Sequence, residues 1–449
     1  MAGGVRCQHT RSPGPPVVTG TMILSGLDGK ADCASAGVAK TFMATAAACA
    51  TATLTPLIRR GALKIEPRWR VLAALSVARI GMGFQFQTVP ATAPLLAGSL
   101  GIDQGQIGWL VGLYLLPGIV FALPGGMLGA RFGDKRMVLL GLGLMVLGGA
   151  GFALAGTMLE AAIARTIMGA GAVVLNVLLV KMVTDWFTGK EMVLAMAALM
   201  NAWPIGIGLA LLTQGALAQS VSWQAAFAAT AVMALIGMLS VTLGYQPAPG
   251  APAVQRVDLR AFSRRDWLVI VVHSLPWMFY NTGYVLAVAF LPLFFVQAGM
   301  SLAAAGSFTA INTGLAIISV QAGGLLVQRY GHATPVVYAS LAGLALALAG
   351  VVTASAPLPW LIAAGLFGGV PAGVLVSLPG SVIAPASRAA GMGVFYAIFY
   401  AGVALAPPLA GLLAVRSGSS AAPLWMAVAC TLLCAATYCA ALRLQKPAQ

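Results

Sequence analysis

The sequence predicts an all-α integral membrane protein, with twelve transmembrane helices in two pseudo-symmetric six-helix bundles. Three observations lead there. Hydrophobic residues make up 60% of the 449-residue chain and charged residues only 8%, a composition far more apolar than that of soluble domains and suited to a lipid solvent. The apolar residues fall into twelve runs, near 71–97, 105–127, 137–157, 160–182, 193–217, 224–244, 267–296, 304–327, 335–355, 359–384, 390–414 and 422–442. Each run is of the length that crosses ~30 Å of hydrocarbon as a helix. Finally, all of the 25 Lys and Arg except Arg79, Arg165 and Arg416 fall in segments on one side of such a bundle. That asymmetry is the positive-inside pattern and puts both termini in the cytoplasm.

The chain divides into a tail at 1–68, a first bundle at 69–245, a linker at 246–266, a second bundle at 267–443 and a short tail at 444–449. The N-terminal tail is rich in Ala, Thr, Gly and Pro without helical periodicity, and reads as disordered. Its uncharged run "TFMATAAACATATLTPLI" at 41–58 is too poor in Leu, Ile and Val for a strong span. A thirteenth span, a signal-like segment, or a true start nearer Met22 or Met43 are the alternatives there. The linker joins a Pro-rich stretch to four arginines and separates six spans from six. The cysteines sit in the tail (Cys7, Cys33, Cys49) and the last span (Cys430, Cys434, Cys439), so no disulfide framework is expected. The net charge of +15 does not mark a nucleic-acid binder, because the basic residues alternate with the spans instead of gathering on one soluble face.

An internal repeat supports the two bundles. Shifting "GGMLGARFGD" by 198 residues places it over "GGLLVQRYGH" and matches Gly126 with Gly324, Leu128 with Leu326, Arg131 with Arg329 and Gly133 with Gly331. The same shift pairs Pro94 with Pro292 and Leu95 with Leu293.

The loop Gly126, Arg131, Gly133, Asp134, Lys135, Arg136 after span two, repeated more weakly after span eight, resembles motif A of the major facilitator superfamily. "RTIMGAGA" from Arg165 resembles that superfamily's Arg-x-x-x-Gly-x-Gly pattern in span four. The resemblance implies the major facilitator fold and alternating access, in which two bundles rock about a central site. It implies that spans one, four, seven and ten line the cavity. It also makes the loop cations, with Gly324, Arg329 and Gly331 in the second half, a gating latch against carbonyls or acids of the neighbouring bundle; topology enforcement is the alternative role. Ala130 stands where the family usually has Asp, and Asp134 lies too far along the loop to be assumed its replacement. Within the superfamily, "LPGG" and "YNTGY" resemble cyanate and nitrate/nitrite porters, yet spans two and eight lack the arginines of true nitrate porters, so no substrate carries over. "NAWPIGIG" in span five only partly resembles the drug/proton antiporter element.

The residues themselves point to the cavity chemistry. A charge near the bilayer centre costs at least ~2.5 kcal/mol, so Arg79 in span one and Arg165 in span four are functional candidates. Helical spacing groups Arg79 with Gly83, Phe86 and Pro90, with Gln87 at the edge, and Arg165 with Gly169, Ala172 and Asn176. In span seven it groups His273, Trp277, Tyr280 and Tyr284, with Asn281 beside them. Structural bonds to backbone carbonyls, snorkelling and packing are the competing roles for these residues. None of the ten acidic residues falls clearly mid-membrane, so no buried carboxylate is available as a proton carrier.

A cavity with cations and no counter-carboxylate calls for a negative solute. The expectation is a secondary active transporter of a small solute, an anion, in the bacterial inner membrane, with a proton or counter-solute as coupling partner. The alternative is an exporter of hydrophobic or cationic compounds, favoured if the two arginines are structural. An enzyme is not expected, since no buried acid, Cys/His metal spacing or nucleophile–base pair is present. No cofactor, metal or nucleic acid is expected, and the protein is expected to be a monomer in the bilayer.

Overall fold

The computed structural model describes residues 66–122, 129, 131–187, 189–248, 262–382 and 388–445. The expected N-terminal tail up to residue 65, most of the linker, Gly126 and residues 446–449 lie outside the described residues. Lys64–Gln449 form one compact unit.

Every regular element among the described residues is helical. Span one is Pro67–Leu100, span three Asp134–Ala153, span four Met158–Trp186, span five Gly189–Ser220 and span six Trp223–Gly244. Span seven is Arg264–Gln297, span eight Leu302–Tyr330, span nine Ala333–Thr353, span eleven Arg388–Ser417 and span twelve Ala422–Gln445. Spans two and ten are each broken, into Gln104–Leu113 and Pro117–Phe121, and into Pro357–Gly368 and Ala372–Val382. Proline explains both breaks, because Pro117 and Pro371 supply no N–H to the helix ladder. The freed groups of span ten find partners, Gly369 N donating to Ser319 Oγ at 2.9 Å and Tyr280 OH donating to the Gly368 carbonyl at 2.8 Å.

With each broken span taken as one, eleven of the twelve described spans are long and apolar enough to cross a membrane. The exception is span one, and its burial explains why. Arg79, Gln85, Gln87, Thr88 and Thr92 are all buried in it, enclosed by other helices where polar side chains meet protein instead of lipid. Leucines such as Leu147, Leu154, Leu243 and Leu346 cover the outward faces of the surrounding helices.

The 198-residue repeat recurs in the backbone. Gly101 and Gly299 end spans one and seven with φ of 62° and 96°, and Gly133 and Gly331 follow spans two and eight with φ of 91° and 69°. Asp103 and Ser301, again at that offset, cap the helices that follow. Gly108 and Gly306 are equivalent too, and each admits a span of the other half. A Cβ on Gly108 would lie 2.3 Å from the Pro407 carbonyl oxygen, and one on Gly306 would lie 2.2 Å from that of Leu211. The same seams continue at Gly112 against Ala404 and at Gly215 against Leu302. These approaches lie towards the face opposite the basic loops, and they hold the halves together there.

Candidate functional site

Between the halves, one side chain stands out by what it lacks. Arg79 is only 8% exposed, and its sole side-chain hydrogen bond among the described residues is a weak one from Nη2 to Met200 Sδ at 3.6 Å. Its Nε and Nη1 have no partner. Tyr396 and Tyr400 of span eleven are its electrostatic neighbours. Asn176 joins the same group by donating from Nδ2 to Tyr400 OH at 2.9 Å, a bond between span four and span eleven, while its Oδ1 is unpartnered. Rings extend from there across to span seven. Tyr400 and Phe399 have centroids 4.9 Å apart, Phe399 and Trp277 6.3 Å, and Trp277 and Tyr280 5.7 Å. Trp277 Nε1 and Tyr284 OH are buried and unpartnered as well. Helix spacing places Trp203 one turn from Met200 in span five, where it packs on Phe86 at 5.4 Å.

The second intramembrane arginine does different work. Arg165 is fully buried, and its Nε, Nη1 and Nη2 donate to the carbonyls of Leu110, Gln85 and Phe86 at 2.9, 2.8 and 2.7 Å. Its guanidinium also lies 4.4 Å from the Tyr114 ring centroid. Arg165 therefore clamps spans one, two and four, and leaves no nitrogen free for a solute. The expectation that it lines the binding pocket is corrected on that ground: neighbouring backbone uses its fork.

The other expected residues divide similarly. Gln87 donates from Nε2 to the Val288 carbonyl at 2.7 Å, bridging spans one and seven, and keeps Oε1 unpartnered. Tyr280 spends its hydroxyl on the break of span ten, and Asn281 Nδ2 bonds the Trp277 carbonyl of its own helix at 2.8 Å. His273 is buried one turn nearer the basic face than Trp277. Its Nδ1 contacts the Val269 carbonyl at 2.7 Å, and its Nε2 has no partner. Of the eight expected cavity residues, then, Arg79, Asn176, Gln87, His273 and Tyr284 keep unpartnered polar atoms. Met200, Trp203, Tyr396, Phe399 and Tyr400 belong with them and were not anticipated. The aromatic pairs of "FYAIFY" four residues apart in span eleven were the available signal.

The glycine-arginine loops expected to gate repeat in detail. Arg131 lies over the Phe132 ring at 5.4 Å and Arg329 over the Tyr330 ring at 6.0 Å, at equivalent positions of the two halves. Arg131, Arg136, Gly324 and Arg329 are exposed. The partners of the loop differ from those expected. Lys135 Nζ donates to the carbonyls of Thr242 and Tyr245 at 2.9 and 3.1 Å, capping the end of span six. Asp134, expected among the gating-loop residues, pairs with Lys181, and Lys181 pairs with Asp185 at 3.0 Å. These contacts stay within the first bundle because Asp134 opens span three level with the last turns of span four. Burial, helped by Asp134 and Asp185, pushes the Tyr245 phenol beside them up to about 12.

Away from this site, a cavity of about 490 Å³ lies at the opposite face, lined by residues that include Pro94, Asp103, Gln104, Leu293 and Gln297.

Two broken-helix halves related by a fixed offset, with paired glycine-arginine loops and buried polar groups between them, agree with a match to known proteins. The family model of the Major Facilitator Superfamily matches residues 75–383. The chain belongs to this superfamily. Among its superfamily relatives, the 3-(3-hydroxy-phenyl)propionate transporter of Escherichia coli is 27% identical over 347 residues, covering 75% of this chain and 85% of the relative. An uncharacterized MFS-type transporter of Mycobacterium tuberculosis is 26% identical over 188 residues, 41% of this chain and 32% of the relative. The chain thus matches about a third of that protein's length. Among solved structures, a D-xylose-proton symporter superposes with a TM-score of 0.69 at 17% identity, covering 84% of this chain and 97% of that one. A bacterial homolog to the human lysosomal transporter Spinster, inward-facing and occupied, gives 0.66 at 16% identity with the same coverage. These likenesses establish the fold. The narrower resemblance to cyanate and nitrate porters gains no support from these relatives.

Proposed function

We propose that this superfamily member is a secondary active transporter that moves a small organic anion across the bacterial inner membrane by alternating access. The observation that carries the reading is the buried Arg79 guanidinium with Nε and Nη1 unpartnered. A buried cation without a counter-charge is costly, and an incoming carboxylate relieves that cost by accepting two parallel hydrogen bonds from the fork. The name of the Escherichia coli relative, whose solute is a carboxylate, supports the same anion class. Because Arg165 is consumed structurally, the anion reading rests on Arg79 alone. The exporter alternative stands second, since an unpaired guanidinium repels a cationic cargo.

In this reading the bodies that rock are residues 69–245 and 267–443, joined by the 246–266 linker, and the basic face is cytoplasmic. The glycine seams at the opposite face then act as the outer gate. The Asp134–Lys181–Asp185 cluster and the Lys135 cap stiffen the first bundle, and Arg131, Arg136 and Arg329 are free to engage when the cytoplasmic side closes. The coupling partner is a proton or a counter-solute, and among the described residues no carboxylate adjoins Arg79 to carry a proton.

The test is uptake of 3-phenylpropionate into proteoliposomes by wild type, Arg79→Gln and Arg79→Lys, each with a monodisperse elution profile. Loss in Gln with partial retention in Lys is expected, because Lys keeps the charge but not the fork. Unchanged uptake in the Gln variant overturns the proposal.

A further inference from the structure

Resting on the anion reading of the same site, we infer that the preferred solute is an aromatic carboxylate bearing a polar group at the end of the ring remote from the carboxylate. The site is two-ended. One end is the unpartnered Arg79 fork beside Tyr400. On span seven, in the opposite half of the protein, two further buried groups lack partners, Trp277 Nε1 and, about two turns further along the helix, Tyr284 OH. Between them lie rings: Phe399 stands 4.9 Å from Tyr400 and 6.3 Å from Trp277, and both Phe399 and Trp277 are half-buried despite this central position.

Each part demands a matching part of the ligand. The fork recognises a planar oxyanion. The ring row favours a flat π-surface, since aromatic pairs add to the gain from buried area. The indole N–H and the phenol need a hydroxyl or carbonyl, because an apolar end would leave them desolvated and unpaired. A compact inorganic anion would fill only the Arg79 end. An alkyl carboxylate would satisfy the charge but neither the rings nor the far polar pair. Grip from both halves at once also suits alternating access, because the solute itself then favours closure of the two halves around it.

The experiment is calorimetric titration of the purified full-length protein with five probes: 3-phenylpropionate, 3-(4-hydroxyphenyl)propionate, hexanoate, 3-phenylpropionamide and nitrate. The expected order is hydroxyphenylpropionate, then phenylpropionate, then hexanoate, with about tenfold between phenylpropionate and hexanoate from its ring contacts. The amide and nitrate should bind more weakly than any carboxylate. Phe399→Leu should lower phenylpropionate affinity more than hexanoate affinity and so narrow the gap between them, and Trp277→Phe should narrow the gain from the hydroxyl. Equal affinity for hexanoate and phenylpropionate, or nitrate binding best, overturns the aromatic assignment and leaves the anion reading intact. Binding of the amide as tight as that of the acid, unaltered by Arg79→Gln, overturns the anion reading itself.

Discussion

Replacing Arg165 with methionine should destabilise the protein severely, whereas replacing Arg79 with glutamine should not. Arg165 donates three hydrogen bonds of 2.7–2.9 Å to carbonyls of spans one and two and stacks its guanidinium on Tyr114. Each bond from a charged donor is worth about 1.5–3 kcal/mol. Methionine removes all three, strands the Leu110, Gln85 and Phe86 carbonyls, and regains only the desolvation cost of the cation. Leaving a buried carbonyl without its donor costs about 1–3 kcal/mol. Arg79 holds nothing comparable, since its one bond is the 3.6 Å contact to Met200 sulfur. Its removal takes away an unpaired buried cation, so stability should hold or rise. The assay is thermal unfolding in detergent, followed by tryptophan fluorescence and by recovery of monodisperse protein. An Arg165→Met variant that melts like wild type, beside an Arg79→Gln variant that aggregates, would show that the two arginines have been assigned in reverse.

Other expectations follow from the same contacts. Gly108→Leu and Gly306→Leu should each abolish uptake by wedging the halves apart at the outer gate, since a first carbon alone would meet a carbonyl at 2.3 or 2.2 Å. Labelling of Cys introduced at Ser99 by an impermeant reagent from outside should rise in both, and unchanged labelling with normal uptake would refute the gate. Lys181→Met should leave Asp134 and Asp185 facing one another, slowing turnover while solute affinity stays within about twofold. Adding Asp134→Asn should restore part of the turnover, and a loss of affinity instead would disconnect this cluster from gating.

Much of this architecture was legible from sequence because the bilayer imposes a strong constraint: each span must be about twenty apolar residues long, and basic loops must alternate. The duplicated loop carried the rest, and the offset read from Arg131 and Arg329 recurs at Gly101 with Gly299 and at Gly108 with Gly306. Span one departs from the rule because protein, not lipid, surrounds its polar face. The site was legible only in part. A charge inside a span is rare enough to single out Arg79 and Arg165, but sequence does not reveal which has carbonyls waiting around it. Those carbonyls come from spans one and two, fifty-five to eighty residues away. Tyr396, Phe399 and Tyr400 were hidden for a different reason, since aromatic residues in an apolar helix look the same whether they pack a core or line a cavity. Asp134 is legible as a loop residue, but its partner Lys181 is not, because Lys181 lies on another span.

The most direct measurement is the affinity of 3-phenylpropionate for wild type and for Arg79→Gln at matched thermal stability. Removing one partner of a buried, hydrogen-bonded charge pair costs ~2–5 kcal/mol, so the account predicts a fall in affinity of at least about thirtyfold with the folded state preserved. Equal affinities in two equally stable proteins would contradict it.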